Sequence, residues 1–360
     1  MRPAIRAYLD GPGYVYAERP EAIAARHGFE RVARLGSNEN PFGPSPAAIE
    51  AASRALSEAH RYPDDSMSAL RAALSTRYGE YPWVVGNGMD GIIETILRVF
   101  CEAGDRVVVS TPTFSFYGIA ARGQGARVVT VPRGPGFGVE PDAFASACRG
   151  ARVAFLCTPN NPTGTATPVD DVRAIAESCG DCLLFLDNAY VDFSDRDYAP
   201  LLSGCDNLVI GRTFSKLYGL AGFRVGYAQV PEWLLSAYTR AATPFFGLSS
   251  VSAAAAVGAL GDEEHVNRTR RHVAAWRERI ARDCPFPCHP SEANFLLVDV
   301  TPYTSDAAVA ALAQEGVLVR SCRSFPDLAD HHLRVSIGAD WENERFLAAA
   351  RSLFDRVPPA

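Results

Sequence analysis

Between about residues 83 and 230, short apolar runs alternate with helix-like segments, and this alternation constrains the fold more than any other feature of the chain. The strand candidates are 83–85, 107–110, 127–131, 153–157, 183–187, 208–212 and 225–229. Amphipathic stretches at 91–100, 115–122 and 168–179 lie between them. Strands that read as continuous apolar runs need cover on both faces, so the pattern predicts an α/β fold with a mostly parallel central sheet between helices. Past Pro231 the chain turns helix-rich as far as Arg282. Strands are expected again at 293–300, 316–320 and 333–337, with helices around them. The expected organisation is an N-terminal arm over 1–35, a large domain over 36–265 and a smaller α/β C-terminal domain over 266–360.

In sheets of this kind ligands bind beyond the carboxyl ends of the strands. The residues just after the predicted strands are polar, glycine-rich or titratable. They include Gly86-Asn87-Gly88-Met89-Asp90, Thr111-Pro112-Thr113-Phe114, Asn160-Asn161-Pro162-Thr163-Gly164, Asp187-Asn188-Ala189-Tyr190 and Thr213-Phe214-Ser215-Lys216.

Composition matters here through one residue type. The chain has 35 basic residues and a single lysine, Lys216. A surface that needs positive charge in this protein uses arginine. A primary amine at 216 therefore points to chemistry that a guanidinium cannot do: forming a Schiff base, or moving a proton once its pKa is lowered.

The formal net charge of −6, without runs of like charge, gives no footprint for nucleic acid or a membrane surface. The longest apolar stretch, 251–260, is far short of a membrane span, and residues 1–16 hold no apolar core of signal-peptide length, so a cytoplasmic location is expected. Nine cysteines, an odd count, are expected as reduced thiols. The short spacings Cys179-x2-Cys182 and Cys284-x3-Cys288-His289 could be drawn as zinc ligands. Packing is the better reading for the first pair, because Cys179 closes a helix-like run and Cys182 opens the strand LLFL. No metal is expected.

Gly86-Asn87-Gly88-Met89-Asp90-Gly91 is a literal G-x-G-x-x-G between a strand and a helix, which raises an NAD-dependent dehydrogenase as the alternative from a different class. That reading needs an acid at the end of the next strand to hold a ribose, and the strand there ends in Ser110-Thr111-Pro112. An anion such as a phosphate is still expected at this helix start, where free N–H groups and the helix dipole converge.

Asp187, Tyr190, Lys216 and Arg224 each have a structural explanation when taken singly, as a helix cap, packing or an ion pair. In this order, with Asn161-Pro162-Thr163-Gly164 before them, the set resembles fold-type I aminotransferases dependent on pyridoxal phosphate (PLP), and within them the histidinol-phosphate aminotransferase branch. Supporting stretches are Ser37-Asn38-Glu39-Asn40-Pro41, Arg61-Tyr62-Pro63, Gly316-Val317-Leu318-Val319-Arg320 and Leu333-Arg334-Val335-Ser336. The resemblance spans about residues 30 to 345. It implies the PLP-dependent transferase fold of type I and a set of roles. Lys216 would hold PLP as a Schiff base and move the proton. Asp187 would pair with the pyridine nitrogen. Asn161 and Tyr190 would bond the phenolic oxygen, and Phe114 would stack on the ring. Met89, Asp90, Ser215 and Arg224 would surround the phosphate. Tyr62 would reach the phosphate of a neighbouring subunit, implying a homodimer. Arg334 and Arg320, with Asn161, would bind the anionic groups of the substrates.

Three reactions stay open within that resemblance. They are transamination of histidinol phosphate with 2-oxoglutarate, transamination of aromatic amino acids, and decarboxylation of threonine phosphate. Tyr14 or Tyr16 would cover the site. Gly91 and Asn188 stand where the family commonly has Glu, and Phe114 where the branch often has Tyr.

Overall fold

The structure is a computed structural model and describes residues 3–10, 13–15 and 18–356. The strands, in chain order, are β1 (Ala33–Arg34), β2 (Trp83–Asn87), β3 (Arg106–Thr111), β4 (Arg127–Pro132), β5 (Val153–Cys157), β6 (Leu183–Asp187), β7 (Leu208–Thr213), β8 (Val225–Gln229), β9 (Phe295–Asp299), β10 (Val317–Leu318), β11 (Arg320–Ser321) and β12 (His332–Ser336). The helices used below are α1 (Gly88–Phe100), α2 (Phe116–Gly123), α3 (Pro141–Cys148) and α4 (Val169–Ser178).

Seven strands form the central sheet in the order β2-β8-β7-β6-β5-β3-β4. All neighbours from β7 to β4 run parallel, and β8 alone runs antiparallel, to both β2 and β7. The period-2 geometry of a strand explains why its residues are apolar throughout. Val107, Val109, Val153, Phe155 and Phe185 point into one core, against Ile92, Ile93, Ile96 and Leu97 of α1 and Tyr117 and Ala121 of α2. Their neighbours Val108, Ala154, Leu156, Leu184 and Leu186 point into a second core, against Phe144 and Cys148 of α3 and Val172, Ile175 and Ala176 of α4. Each fully buried Leu, Ile, Val or Phe contributes about 1.5–3 kcal/mol, so neither face tolerates a polar substitution. Cys179 and Cys182 are buried in the second core and all nine cysteines are free thiols.

A three-stranded antiparallel sheet, β11-β12-β9, lies in the C-terminal part. Here the sequence expectation needs correction. The single strand expected over 316–320 is two short strands in two different sheets. β10 pairs in parallel with β1, and β11 pairs antiparallel with β12. The chain changes partner at the buried Val319, a switch that an unbroken apolar run does not reveal. Residues 33 and 34, from the stretch expected as an arm, thus form a strand with the C-terminal part of the chain.

The sheet order also removes the dinucleotide reading. A Rossmann crevice needs its glycine-rich strand between parallel neighbours at the switch point of the sheet. Here β2, which carries Gly86-Asn87-Gly88, is an edge strand bonded only to antiparallel β8.

Candidate active site

The carboxyl ends of the parallel strands open into a cavity of about 250 Å3. Eleven of the twelve site residues expected from sequence line it: Met89, Asp90, Phe114, Asn161, Asp187, Tyr190, Ser215, Lys216, Arg224, Arg320 and Arg334. Tyr62 does not. It is 86% exposed and stacks on Phe245, with ring centroids 5.1 Å apart. Tyr14 lines the cavity and sets its ring edge-on to Phe114 at 6.0 Å. Tyr16 lies outside the described residues.

The floor of the cavity belongs to the large sheet. Asp187 ends β6 and is 3% exposed. Its Oδ2 accepts a hydrogen bond from the Tyr117 hydroxyl at 2.5 Å and its Oδ1 accepts one from the Ala189 N–H at 2.9 Å. Burial raises its pKa to about 6, against the lowering effect of those two donors. Lys216 follows β7 after a tight turn. Its Nζ donates to the Ser37 carbonyl at 3.1 Å and lies 5.7 Å from the centre of the Tyr190 ring. Burial first, and then the charges of Arg334 and Arg224, lower its pKa to about 8, with Glu39 and Asp90 opposing them. An amine with that pKa keeps a reactive neutral fraction near neutral pH.

One end of the cavity is the amino terminus of α1. Gly88 takes a left-handed φ of 68°, and a Cβ there would stand 2.6 Å from Arg224 Nη2. Only glycine lets the arginine lie against the helix start. Arg224 itself holds a left-handed backbone, φ 55° and ψ 56°, a conformation that costs a non-glycine residue about 1–3 kcal/mol and that clusters at ligand clamps. Its Nη2 donates to Asp90 Oδ2 at 2.8 Å. The helix dipole and the guanidinium together suit this end to an anion.

The opposite wall comes from the small sheet. Arg320 of β11 and Arg334 of β12 are direct cross-strand partners. Arg334 is 7% exposed and donates from Nη1 to Asn161 Oδ1 at 2.6 Å and from Nη2 to the Gly36 carbonyl at 2.7 Å. Its buried Nε has no hydrogen-bond partner among the described residues. Like charges placed opposite each other on adjacent strands repel, and Arg320's pKa falls through burial and then through Arg334. An anion between them would relieve both the repulsion and the unpaired donor.

Two site residues escaped the sequence reading. Tyr117 holds Asp187, yet it sits inside the aromatic run Phe114-Ser115-Phe116-Tyr117, where nothing marks one ring from the next. Asn38 donates from Nδ2 to the Tyr190 hydroxyl at 3.1 Å, while its Oδ1 accepts from the Ser336 hydroxyl at 2.8 Å. Its φ is 54°, in the left-handed region that asparagine tolerates, an angle that the sequence alone does not show. Through Asn38 the N-terminal segment ties Tyr190 to β12.

This arrangement has known counterparts. The family model of aminotransferase class I and II matches residues 30–353. The chain is 59% identical to the histidinol-phosphate aminotransferase of Methanoculleus marisnigri, over 98% of this chain and 100% of that relative. It is 61% identical to the histidinol-phosphate aminotransferase of Methanosphaerula palustris, over 96% and 98%. The crystal structure of histidinol-phosphate aminotransferase from Sinorhizobium meliloti in complex with pyridoxal-5'-phosphate superposes with a TM-score of 0.86, at 29% identity, covering 98% of this chain and 97% of that one. The continuous strand–helix alternation, the lone lysine after β7 and the acid that ends β6 lead to the same place as these matches: the chain belongs to the aminotransferase class I and II family.

Proposed function

We propose that this chain is a PLP-dependent aminotransferase that moves the amino group of histidinol phosphate to 2-oxoglutarate, a step of histidine biosynthesis. The observation that carries the reading is the pairing, across one cavity, of a lone lysine and a buried carboxylate with two adjoining arginines. The names of the relatives support the substrate.

The residues present fit the cofactor. Asp187 is a buried carboxylate without a cationic partner in bonding distance among the described residues, which suits a protonated pyridine nitrogen. Asn161 spends its carbonyl on Arg334 and so keeps its amide N–H groups for a ligand oxygen, beside the Tyr190 hydroxyl. Phe114 offers a ring face. The start of α1 with Ser215 and Arg224 offers a phosphate seat. When bound, the cofactor supplies an electron sink for the electrons released at the substrate's α-carbon.

The chain's own groups do the rest. Lys216 Nζ would anchor the cofactor and would take and return the proton at the substrate's α-carbon. Its lowered pKa suits both tasks. Asp187 would hold the pyridine nitrogen in its protonated form, and Tyr117 holds Asp187. Arg334 and Arg320 bind in turn the phosphate of one substrate and the carboxylates of the other. Tyr14 packs against Phe114 and narrows the mouth.

The second half of the proposal is a homodimer in a reducing, cytoplasmic compartment. An exposed tyrosine already stacked on Phe245 is the feature that supports it, and Tyr62 would there reach the neighbouring subunit's phosphate seat.

Absorbance of the purified protein tests the reaction. A visible band that fades with histidinol phosphate and returns with 2-oxoglutarate is expected. A band indifferent to histidinol phosphate would transfer the proposal to aromatic amino acids or threonine phosphate. Absence of a band after PLP is added would end it.

A further inference from the structure

The small sheet carries a group of ligating side chains that the proposed reaction leaves unused. Antiparallel register sets His332 of β12 directly opposite Asp299 of β9, so the two side chains leave the sheet on one face. His331, the residue before, brings Nε2 to 3.9 Å from Asp299 Oδ2. One ligand atom from each of the three lies within 4.8 Å of the others, the one such group of three or more His, Cys, Asp and Glu among the described residues.

Two of the three ligands are already oriented by other groups. Asp299 Oδ1 accepts from the Thr301 N–H at 2.9 Å and from the Thr301 hydroxyl at 2.6 Å, which leaves Oδ2 turned to His331. His332 Nδ1 lies 3.1 Å from the Ala329 carbonyl. A proton on Nδ1 satisfies that carbonyl and leaves the Nε2 lone pair available. This is how the tautomer of a metal-bound histidine is held: the other ring nitrogen donates to a carbonyl or carboxylate. His289 stands alongside, its ring centre 5.5 Å from that of His332.

We propose that Asp299, His331 and His332 bind one divalent transition-metal ion of the zinc class. Two imidazoles and one carboxylate are a donor set that suits zinc, with His289 or water in the fourth position. In a tetrahedral site with bonds of about 2.0–2.1 Å the ligand atoms stand roughly 3.4 Å apart. The group therefore needs to gather by about 1 Å, and His331, with 38% of its side chain exposed, can rotate to do so. The ion would tie the end of β9 to the start of β12, two residues before Arg334. It would brace the strand that presents the anion-binding guanidinium without touching the cleft's proton chemistry.

The test is zinc binding by the protein as purified, stripped with a chelator, desalted and titrated with ZnCl2 against a chromogenic zinc indicator. Wild type is expected to take up one equivalent per chain. His331→Gln and Asp299→Asn should each bind at least about tenfold more weakly, with circular dichroism unchanged because both side chains are partly exposed. A double Cys284→Ser/Cys288→Ser variant, which removes the nearby thiols, should bind as wild type does. No uptake by wild type, wild-type affinity in both single variants, or loss of the ion only in the serine variant would each overturn the assignment.

Discussion

The two walls of the cleft are built differently. The floor comes from loops that leave the carboxyl ends of parallel strands, each clamped between neighbours and covered on both faces. It holds Asp187 and Lys216, whose pKa values burial moves to about 6 and about 8. The facing wall is an antiparallel sheet of three strands, and it holds the guanidinium groups of Arg320 and Arg334. The groups proposed to exchange protons thus sit at the carboxyl ends of strands that are paired on both sides and covered on both faces. The two arginines proposed to recognise the substrates' anionic groups sit on a separate sheet. Such a division lets substrate preference change on one wall while the proton chemistry stays fixed on the other.

The largest effect expected is on the floor. Lys216→Arg keeps a positive charge but loses the nucleophilic amine. Turnover should drop by at least about 10^3-fold in a single-turnover assay, with circular dichroism unchanged. On the facing wall, Arg334→Ala should cost about 2–5 kcal/mol in kcat/KM for anionic substrates, the usual penalty for losing one partner of a buried charge pair. The cofactor's visible band should persist. If that band vanished instead, the two walls would not be independent and the comparison would break.

A smaller change sharpens the picture of the floor. Tyr117→Phe removes a hydrogen bond to a carboxylate, worth about 1.5–3 kcal/mol. That bond lowers Asp187's pKa, so its loss raises it further. The acid limb of the pH–rate profile should then move up, by about one pH unit, while KM for substrates changes little. A mere packing role would leave the limb where it was.

The smallest effect concerns stability without cofactor. Lys216 has a pKa of about 8 in the fold against 10.5 in an open chain. Between those values the unfolded chain binds more protons, so stability rises with pH there, and below pH 8 the cost of burying the charge is fully present. Lys216→Met should therefore be more stable than wild type at pH 7. The expected gain is on the order of 2 kcal/mol, allowing for the lysine's partial contact with solvent, and should close toward pH 10.5. Thermal melts across pH read this directly.

How much of this could be read from the chain differs between the walls. The floor was legible because parallel topology puts every strand's carboxyl end at one edge, so residues after each strand converge whatever the details. Asp187, Asn161 and Lys216 were found that way. The partnership of Tyr117 was not, because which ring of an aromatic helix start faces which carboxylate depends on packing angles. The facing wall was harder. Residues 316–320 read as one strand and are two, and only the switch at Val319 sets Arg320 against Arg334.

By itself the sequence determined the α/β layering, the edge of the sheet where ligands bind and the single amine available for chemistry. Those follow from local periodicity and from residue identity, which every short window of the chain carries. The tertiary structure alone decided the edge position of β2, the hold of Tyr117 and Asn38 on the floor, the pairing of the two arginines and the meeting of Asp299 with His331 and His332. Each of these is a contact between segments far apart in the chain, set by strand order and register, and no local pattern specifies a register it does not contain.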